Sequence, residues 1–536
     1  MKEYCMKKTA FSFVICMLTL ALVTTGASGA RQRTREKAVQ PATAAGLSEG
    51  GQTVIAALPS TWGARETVSN SVAECRDPYA AIDGKGNVYA SWVEWYGGVG
   101  ARRDMMFNTN NTGKWGNPHA NTLVYPLIDD VGYPEVSVTK SGAHAIYNWM
   151  DASFSMGYMV IMGEELANGT WSGPGIISTQ APDSATYPSL SASPVDDTYC
   201  FVWQQHTGSG FELASQYRDG ASGAMTSPYL ISQSQPNQYW PNVFVDSKGT
   251  VHLAYITRTG PAQIYYMKNT NIKNSAGWTA PLALSGYTGL DWVQPIVRAT
   301  DAGDAYLVWS EVRNGIEDIF LRYQVNGAWL DAINVTNSTV AAPCENPSIG
   351  VNPATGEMYI CWTQLVTSDY GNVFLKTYEI DKTSGQKVWS SPIQVTTSGA
   401  SAGGSLRVTS DPDIHLVYTD NGIVYHVSRL APRLTAVAAP TVTSQINRVL
   451  FAREKILTIS FAKNAINDDA TLGSYKLYVK NYGDPDSAYT VLATFAPTDT
   501  LQYVWRKLAV SQRYTFMVGV VNKDGLEMKS MPVDSD

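Results

Sequence analysis

Six prolines of this chain are each preceded by a residue that can stack on or bond a ligand: Asp77, Tyr133, Tyr187, Trp240, Gln294 and Asn346. Arg76, Tyr239 and Trp292 stand beside them, and Arg258, Glu311 and Arg313 follow about sixteen to eighteen residues after a proline. Aromatic rings stack on the C–H faces of sugars, while carboxylates, guanidiniums and amides bond hydroxyl groups. The set suits a glycan or peptide cleft. The blander reading of each aromatic is an extended residue before proline that packs in a channel wall. Paired carboxylates, such as Asp77 or Glu94 with Glu311, would supply the acid and nucleophile of glycoside hydrolysis. A lyase would instead need a base such as His206 or Tyr187 beside an arginine. The chain has no H-E-x-x-H, Walker loop or dinucleotide fingerprint. Neither a cofactor nor a metal is expected.

The positions of these residues follow from a repeat. The stretch Trp240–Gly286 holds four apolar runs, "NVFV", "TVHLAYI", "IYYMKN" and "WTAPLAL", separated by turn residues. Four such runs make one antiparallel sheet, too small to bury both of its faces alone. The unit recurs. Pro78, Pro134, Pro188, Pro241, Pro295 and Pro347 are 52 to 56 residues apart. A further copy begins near Gly404, without the proline. Fourteen or fifteen residues after each start comes an aromatic: Trp92, Trp149, Trp203, Tyr255, Trp309, Trp362 and Tyr418. A fixed period with four strands per unit predicts an all-β fold, a seven-bladed β-propeller. Blade seven lacks a fourth strand after Arg429. Residues 61–70, "TWGARETVSN", are expected to supply it and close the ring.

Two loop sets then reach one rim: the loops before each first strand, and those joining second to third strands. The latter add Glu94, Trp95, Arg103, His206, Gln364 and Asp420. His144, His252 and His415 share one repeat position with tyrosines of the other blades, which marks them as packing residues. The "DGKG", "DSKG" and "DAGD" turns are hairpin turns rather than calcium loops.

Composition narrows the classes. The chain has 536 residues and a net charge of −7, with 16% charged residues. Low charge with many aromatics does not suit disorder or nucleic-acid binding. Residues 1–30 read as a secretory signal peptide and 31–54 as a flexible linker. The propeller spans 55–431, a second linker 432–440 and a C-terminal β-sandwich 441–536. Secretion implies an oxidising compartment, where Cys75, Cys200, Cys344 and Cys361 remain; buried thiols are favoured over a Cys75–Cys344 bridge. A secreted or periplasmic monomer is expected, with no membrane segment after signal cleavage.

Tyr514, Phe516, Val518, Val520, Asn522 and Gly525, with "SYKLYVK", give 441–536 a pattern that resembles fibronectin type III domains. The resemblance implies a spacer or adhesion module, with Tyr514 as its corner tyrosine. Residues 61–430, best in "WSEVRNGIEDIFLRYQVNGAW", resemble sialidase-like (BNR-type) propellers of secreted bacterial proteins. The S-x-D-x-G-x-T-W boxes and the arginine triad of sialidases are absent, so sialidase catalysis is not implied. Three functional readings stay open. The first is a non-catalytic binder of a glycan or other surface polymer. The second is a carbohydrate-active hydrolase or lyase, and the third a cell-envelope scaffold.

Overall fold

The computed structural model describes residues 58–535 apart from 60–61, 97–102, 122–130, 152–158, 179–183, 209, 232–236, 259–261, 291–292, 338–341, 381–386, 410–412, 431–435, 450–451, 465–466, 468–471 and 524–526. The signal peptide, the first linker and Trp292 lie outside them. The chain forms two compact units, Met1–Leu430 and Ala431–Asp536. Both are all-β; a single 3-10 turn, Asp486–Ala488, is the one helical element among the described residues.

Among the described residues the first unit forms seven antiparallel sheets. Blade four shows the plan: Gln238–Val245, Val251–Thr257, Gln263–Asn269 and Leu282–Tyr287 pair in chain order from the axis outward. The first strands of consecutive blades touch one another, and that of blade seven touches that of blade one, so the array is a propeller-like ring. Seven apolar clusters sit between the sheets, each drawing on two neighbours. The repeated second-strand tryptophans Trp92, Trp149, Trp203, Trp309 and Trp362 are at most 1% exposed. Each sheet is apolar on both faces and packs each face against a neighbouring sheet, so the ring is the core.

Closure occurs as expected. The short strand Glu66–Thr67 pairs with Ile423–Arg429, Glu66 opposite His426. Trp62 is buried in the cluster between blades six and seven. The first and last parts of the ring thus share one sheet.

The innermost strands present a free edge to the axis, whose N–H groups need acceptors. Side chains of the preceding blade supply them. Ser405 Oγ accepts from Ala80 N–H at 3.1 Å, Glu135 from Leu190 at 2.7 Å, and Ser189 from Val243 at 2.9 Å. Asn242 accepts from Val297 at 2.9 Å, and Ser348 from Leu406 at 3.0 Å. All five acceptors stand one residue after the proline position, so one repeat register stitches blade to blade around the axis.

Cys75, Cys200, Cys344 and Cys361 are buried thiols, with no disulfide among them. The repeat-position histidines and tyrosines pack as read: His252 Nε2 meets Asp246 at 3.1 Å, and Tyr199 donates to the His144 carbonyl at 2.8 Å. The second unit has a three-stranded sheet (Thr441–Val449, Ala452–Ser460, Gln502–Leu508) and a larger one built on Leu472–Asn481 and Tyr514–Asn522. One apolar cluster centred on Leu457, Tyr475, Leu477 and Phe516 joins them.

Candidate functional site

The prolines do not open the innermost strands. Strand pairing starts three or four residues earlier and slips at the X–Pro dipeptide in five blades: between Arg76 and Tyr79, Gly132 and Glu135, Thr186 and Ser189, Tyr239 and Asn242, and Glu345 and Ser348. Each slip is a β-bulge, and proline is tolerated there because the edge facing the axis needs no ladder donor. In these five blades the residue before the proline is not extended, which corrects the expectation drawn from its neighbour. Asp77, Tyr133, Tyr187, Trp240 and Asn346 have φ of 51°, 56°, 50°, 50° and 53°. Left-handed backbone costs a non-glycine residue about 1–2 kcal/mol. A bulge also re-aims the side chain it carries. Gln294 shows no positive φ, and its strand, Ile296–Ala299, begins only after the proline.

The bulges bring three rings together from blades two, three and four. Tyr133 meets Tyr187 edge-on at 4.6 Å, Tyr187 meets Trp240 at 5.1 Å, and Tyr133 lies 6.2 Å from Trp240. With Pro188, Pro241 and Gln294 they line a cavity of about 210 Å³, solvent at its mouth included. The three rings therefore form a shallow aromatic surface rather than an enclosed pocket. Tyr239 extends it: its ring packs on Phe211 at 5.0 Å and under the Arg258 guanidinium at 5.6 Å. Burial pushes the Tyr239 hydroxyl up, against the pull of Arg258.

A polar group forms elsewhere on the rim, from blades one and six. Arg76 Nε donates to Glu74 at 2.8 Å, and its Nη2 donates to the Tyr370 hydroxyl at 2.6 Å. The Tyr370 hydroxyl in turn donates to Glu74. Trp95 lies under the Arg76 guanidinium at 4.1 Å. Tyr370 holds its proton: burial first, then the Glu74 carboxylate, push it up to about 12, although Arg76 pulls the other way. Asp77 is open to solvent yet enclosed by the ring. That enclosure raises its carboxyl, with Arg76 and Arg103 opposing. Tyr370 reaches blade one because its hairpin is tight. A Cβ at the next residue, Gly371, would fall 1.9 Å from the Gln364 carbonyl oxygen. The Gly371 and Ser401 backbones also exchange two hydrogen bonds of 2.9 Å.

Other candidates are placed away from reaction chemistry. Glu311 is 4% exposed, and both of its oxygens are engaged, one by Trp309 Nε1 at 2.8 Å and one by Arg313 Nε at 2.7 Å. Glu94 is likewise buried and accepts from Trp92 and Tyr96. The expected pairing of these carboxylates as acid and nucleophile is therefore corrected: they are partners of buried indoles. Gln205 does the same for Trp203 at 2.9 Å. The spacing Trp-x-Glu/Gln was the available signal. Arg313 is half exposed, lying over Phe320 at 4.1 Å. Tyr187 is 8% exposed in the aromatic group, and His206 packs on Phe211 at 5.1 Å. Tyr370, a rim tyrosine hydrogen-bonded to an arginine, is one that the repeat frame does not single out, and Glu74 was missed with it.

No family model matches this chain, and no curated protein matches it. Solved structures similar to it include polysaccharide lyase Uly1, at 12% identity and a TM-score of 0.44 over 71% of this chain and 93% of that one. A PL25 ulvan lyase bound to -[GlcA(1-4)Rha3S]- has 10% identity and a TM-score of 0.45 over 67% and 94%. A fungal alcohol oxidase of the AA5 family, in complex with copper, has 11% identity and a TM-score of 0.41 over 88% and 98%. The similarity is weak and is one of fold.

Proposed function

We propose that the first unit is a carbohydrate-active domain that holds a polysaccharide chain across its rim. The observation that carries this reading is the three-ring platform of Tyr133, Tyr187 and Trp240, built on strained bulges of three consecutive blades. Trp240 and Tyr133 offer ring surface for sugar C–H faces, and Arg258 and Asp77 offer polar partners for hydroxyl or acidic groups. The test is binding to a panel of soluble and insoluble polysaccharides. Trp240→Ala is expected to weaken binding about tenfold, or about 1.4 kcal/mol. Unchanged affinity would remove the platform from the site.

One observation favours action on the chain over binding alone: the Tyr370 hydroxyl is held between Arg76 and Glu74. Tyr370 keeps its proton and suits delivery to the departing glycosidic oxygen, while Glu74 would take the C–H proton that the sugar ring loses as the double bond forms and then pass it to the Tyr370 oxygen along their hydrogen bond. Arg76 keeps further N–H donors for an acidic sugar. This is lyase-type acid–base chemistry. Release of unsaturated sugar ends, followed by ultraviolet absorbance, is expected of wild type and lost in Tyr370→Phe. Binding without product release in wild type would return the reading to a non-catalytic module. The sheet order of the second unit supports the type III reading, a spacer that presents the first unit outside the cytoplasm.

A further inference from the structure

The Arg76–Glu74–Tyr370 group is built on blades one and six, and blade seven stands between them. The strands Ile414–Asp420 and Ile423–Arg429 of blade seven are joined by the tight turn Asn421–Gly422. Both turn residues are left-handed, with φ of 51° and 73°, as the shortest hairpins require. The turn touches both neighbours. Toward blade one, the Gly422 carbonyl accepts from Cys75 N–H at 3.0 Å. A Cβ on Gly422 would lie 3.4 Å from Glu74 Cγ. Toward blade six, Asn421 N–H donates to the Ala400 carbonyl at 3.1 Å, and the next residue, Ser401, is bridged to Gly371 beside Tyr370. Asp420 fixes the turn to this run. It is 5% exposed, its Oδ1 accepts from Ser398 Oγ, and the same oxygen lies 3.1 Å from Ser401 Oγ. Its Oδ2 accepts from Arg65 Nη1 at 2.9 Å. Arg65 comes from the other end of the ring: it stands one residue before the closing strand Glu66–Thr67, with its guanidinium 3.7 Å over the Tyr425 ring.

We propose that Arg65 is a positioning residue of the Arg76–Glu74–Tyr370 group, so that the closing N-terminal segment helps to assemble the site. The inference rests on the lyase reading of that group. Without the guanidinium, Asp420 is a buried carboxylate that has lost its cation, and stranding one partner of such a pair is costly. Asp420 relaxes by turning toward water, and Oδ1 then leaves Ser398 and Ser401. The Ser401–Gly371 bridge loosens, and Tyr370 shifts from Glu74 and Arg76. A misplacement of about 1 Å is enough to cost roughly a hundredfold in rate. The aromatic platform on blades two to four shares none of these contacts and keeps its hold on the polysaccharide.

The test compares Arg65→Met, which removes the charge and keeps a stem, with Arg65→Lys, which keeps the charge, in the full-length protein below the Tm of each variant. Glu66→Ala is the control. It removes the acceptor of Trp115 Nε1 at 3.0 Å and of His426 Nδ1 at 2.7 Å, and so weakens the same segment away from Asp420. Two quantities are read: the kcat and KM of product release, and amide hydrogen exchange of Gly371 and Ser401. Arg65→Met is expected to lose about 10–100-fold in kcat at unchanged KM and to exchange both amides about tenfold faster. Arg65→Lys should recover part of both, and Glu66→Ala should match wild type. Unchanged exchange or unchanged kcat in Arg65→Met, or equal losses in Glu66→Ala, overturns the proposal. Wild type that releases no product overturns the lyase reading instead, and the exchange rates still decide whether Arg65 holds the Tyr370 hairpin.

Discussion

Replacing Trp240 by glycine should leave a more stable protein than replacing it by alanine. Both changes remove the indole, so its packing on Tyr187 and Tyr133 cancels in the comparison. What remains is the backbone, held at φ 50°. Alanine there keeps the left-handed penalty of about 1–2 kcal/mol. Glycine escapes it but loses about 0.5–1 kcal/mol through the freedom of its unfolded chain. The difference favours glycine by about 0.5–1 kcal/mol. At an ordinary strand position the sign is reversed, because there glycine carries only its entropic cost. The structure supplies the control: Gln294 holds the same place before Pro295 without a positive φ, so Gln294→Gly should be less stable than Gln294→Ala. Denaturant midpoints of the four variants, at a common slope, measure both differences. Refutation would be Trp240→Ala equal to or above Trp240→Gly, or the same sign at both positions. Either result would mean that the bulge does not hold residue 240 in this conformation, and the strained platform would go with it. Sugar affinity separates the roles further, since both Trp240 variants should lose it equally.

Three further outcomes follow from named contacts. Glu135 is pushed up from 4.5 to about 7, first by burial, against Leu190 N–H, Ser189, Arg298 and Arg407. A raised carboxyl contributes stability that is complete below the unfolded value and is lost as pH rises through the folded one. Wild type should therefore lose roughly 3 kcal/mol between about pH 4.5 and 7; Glu135→Gln, whose amide oxygen can still accept from Leu190, should show a flatter profile in denaturation across that range. Glu311→Ala strands the buried Trp309 indole N–H and should cost about 1–3 kcal/mol, whereas Glu311→Gln keeps an acceptor and should cost less. If the Gln variant instead lost product release at unchanged stability, the structural role would be wrong. Asn242→Ala removes the acceptor for Val297 N–H on the next blade and should cost about 1–3 kcal/mol, read as a lower denaturant midpoint; no change would mean that the axial stitch is not needed.

The ring was legible because hairpins of fixed length return an inner edge and a buried tryptophan at fixed intervals. Pro241 and Tyr255 mark one blade, Pro295 and Trp309 the next. The closing strand could be placed from Trp62 alone, because an open blade seven needed a fourth strand and that tryptophan repeats those of other outer strands. The conformation before the prolines was not legible. Local sterics favour extended backbone at such a position, and the bulge that overrides them is set by pairing with a second strand and burial between two blades. The spacing from Trp309 to Glu311 was visible, but its meaning depended on knowing that both side chains are buried.

The polar half of the rim depends on the blade that departs from the repeat. Blade seven has Gly404 where its siblings have proline, and residues 399–404 read Gly-Ala-Ser-Ala-Gly-Gly. No side chain in this run is larger than serine. Gly403 has φ 79°, and a Cβ there would already lie 3.8 Å from the Pro78 ring. An aromatic at this point, like those of blades two to four, would stand between Tyr370 of blade six and Arg76 of blade one. Its absence lets the two meet over blade seven. The regular positions of the repeat build the ring and its core, and the platform adds aromatics at one regular place. The Arg76–Glu74–Tyr370 group instead requires a place left small. Filling it should separate the two halves of the site: Gly403→Trp is expected to abolish product release while leaving Trp240-dependent binding in place.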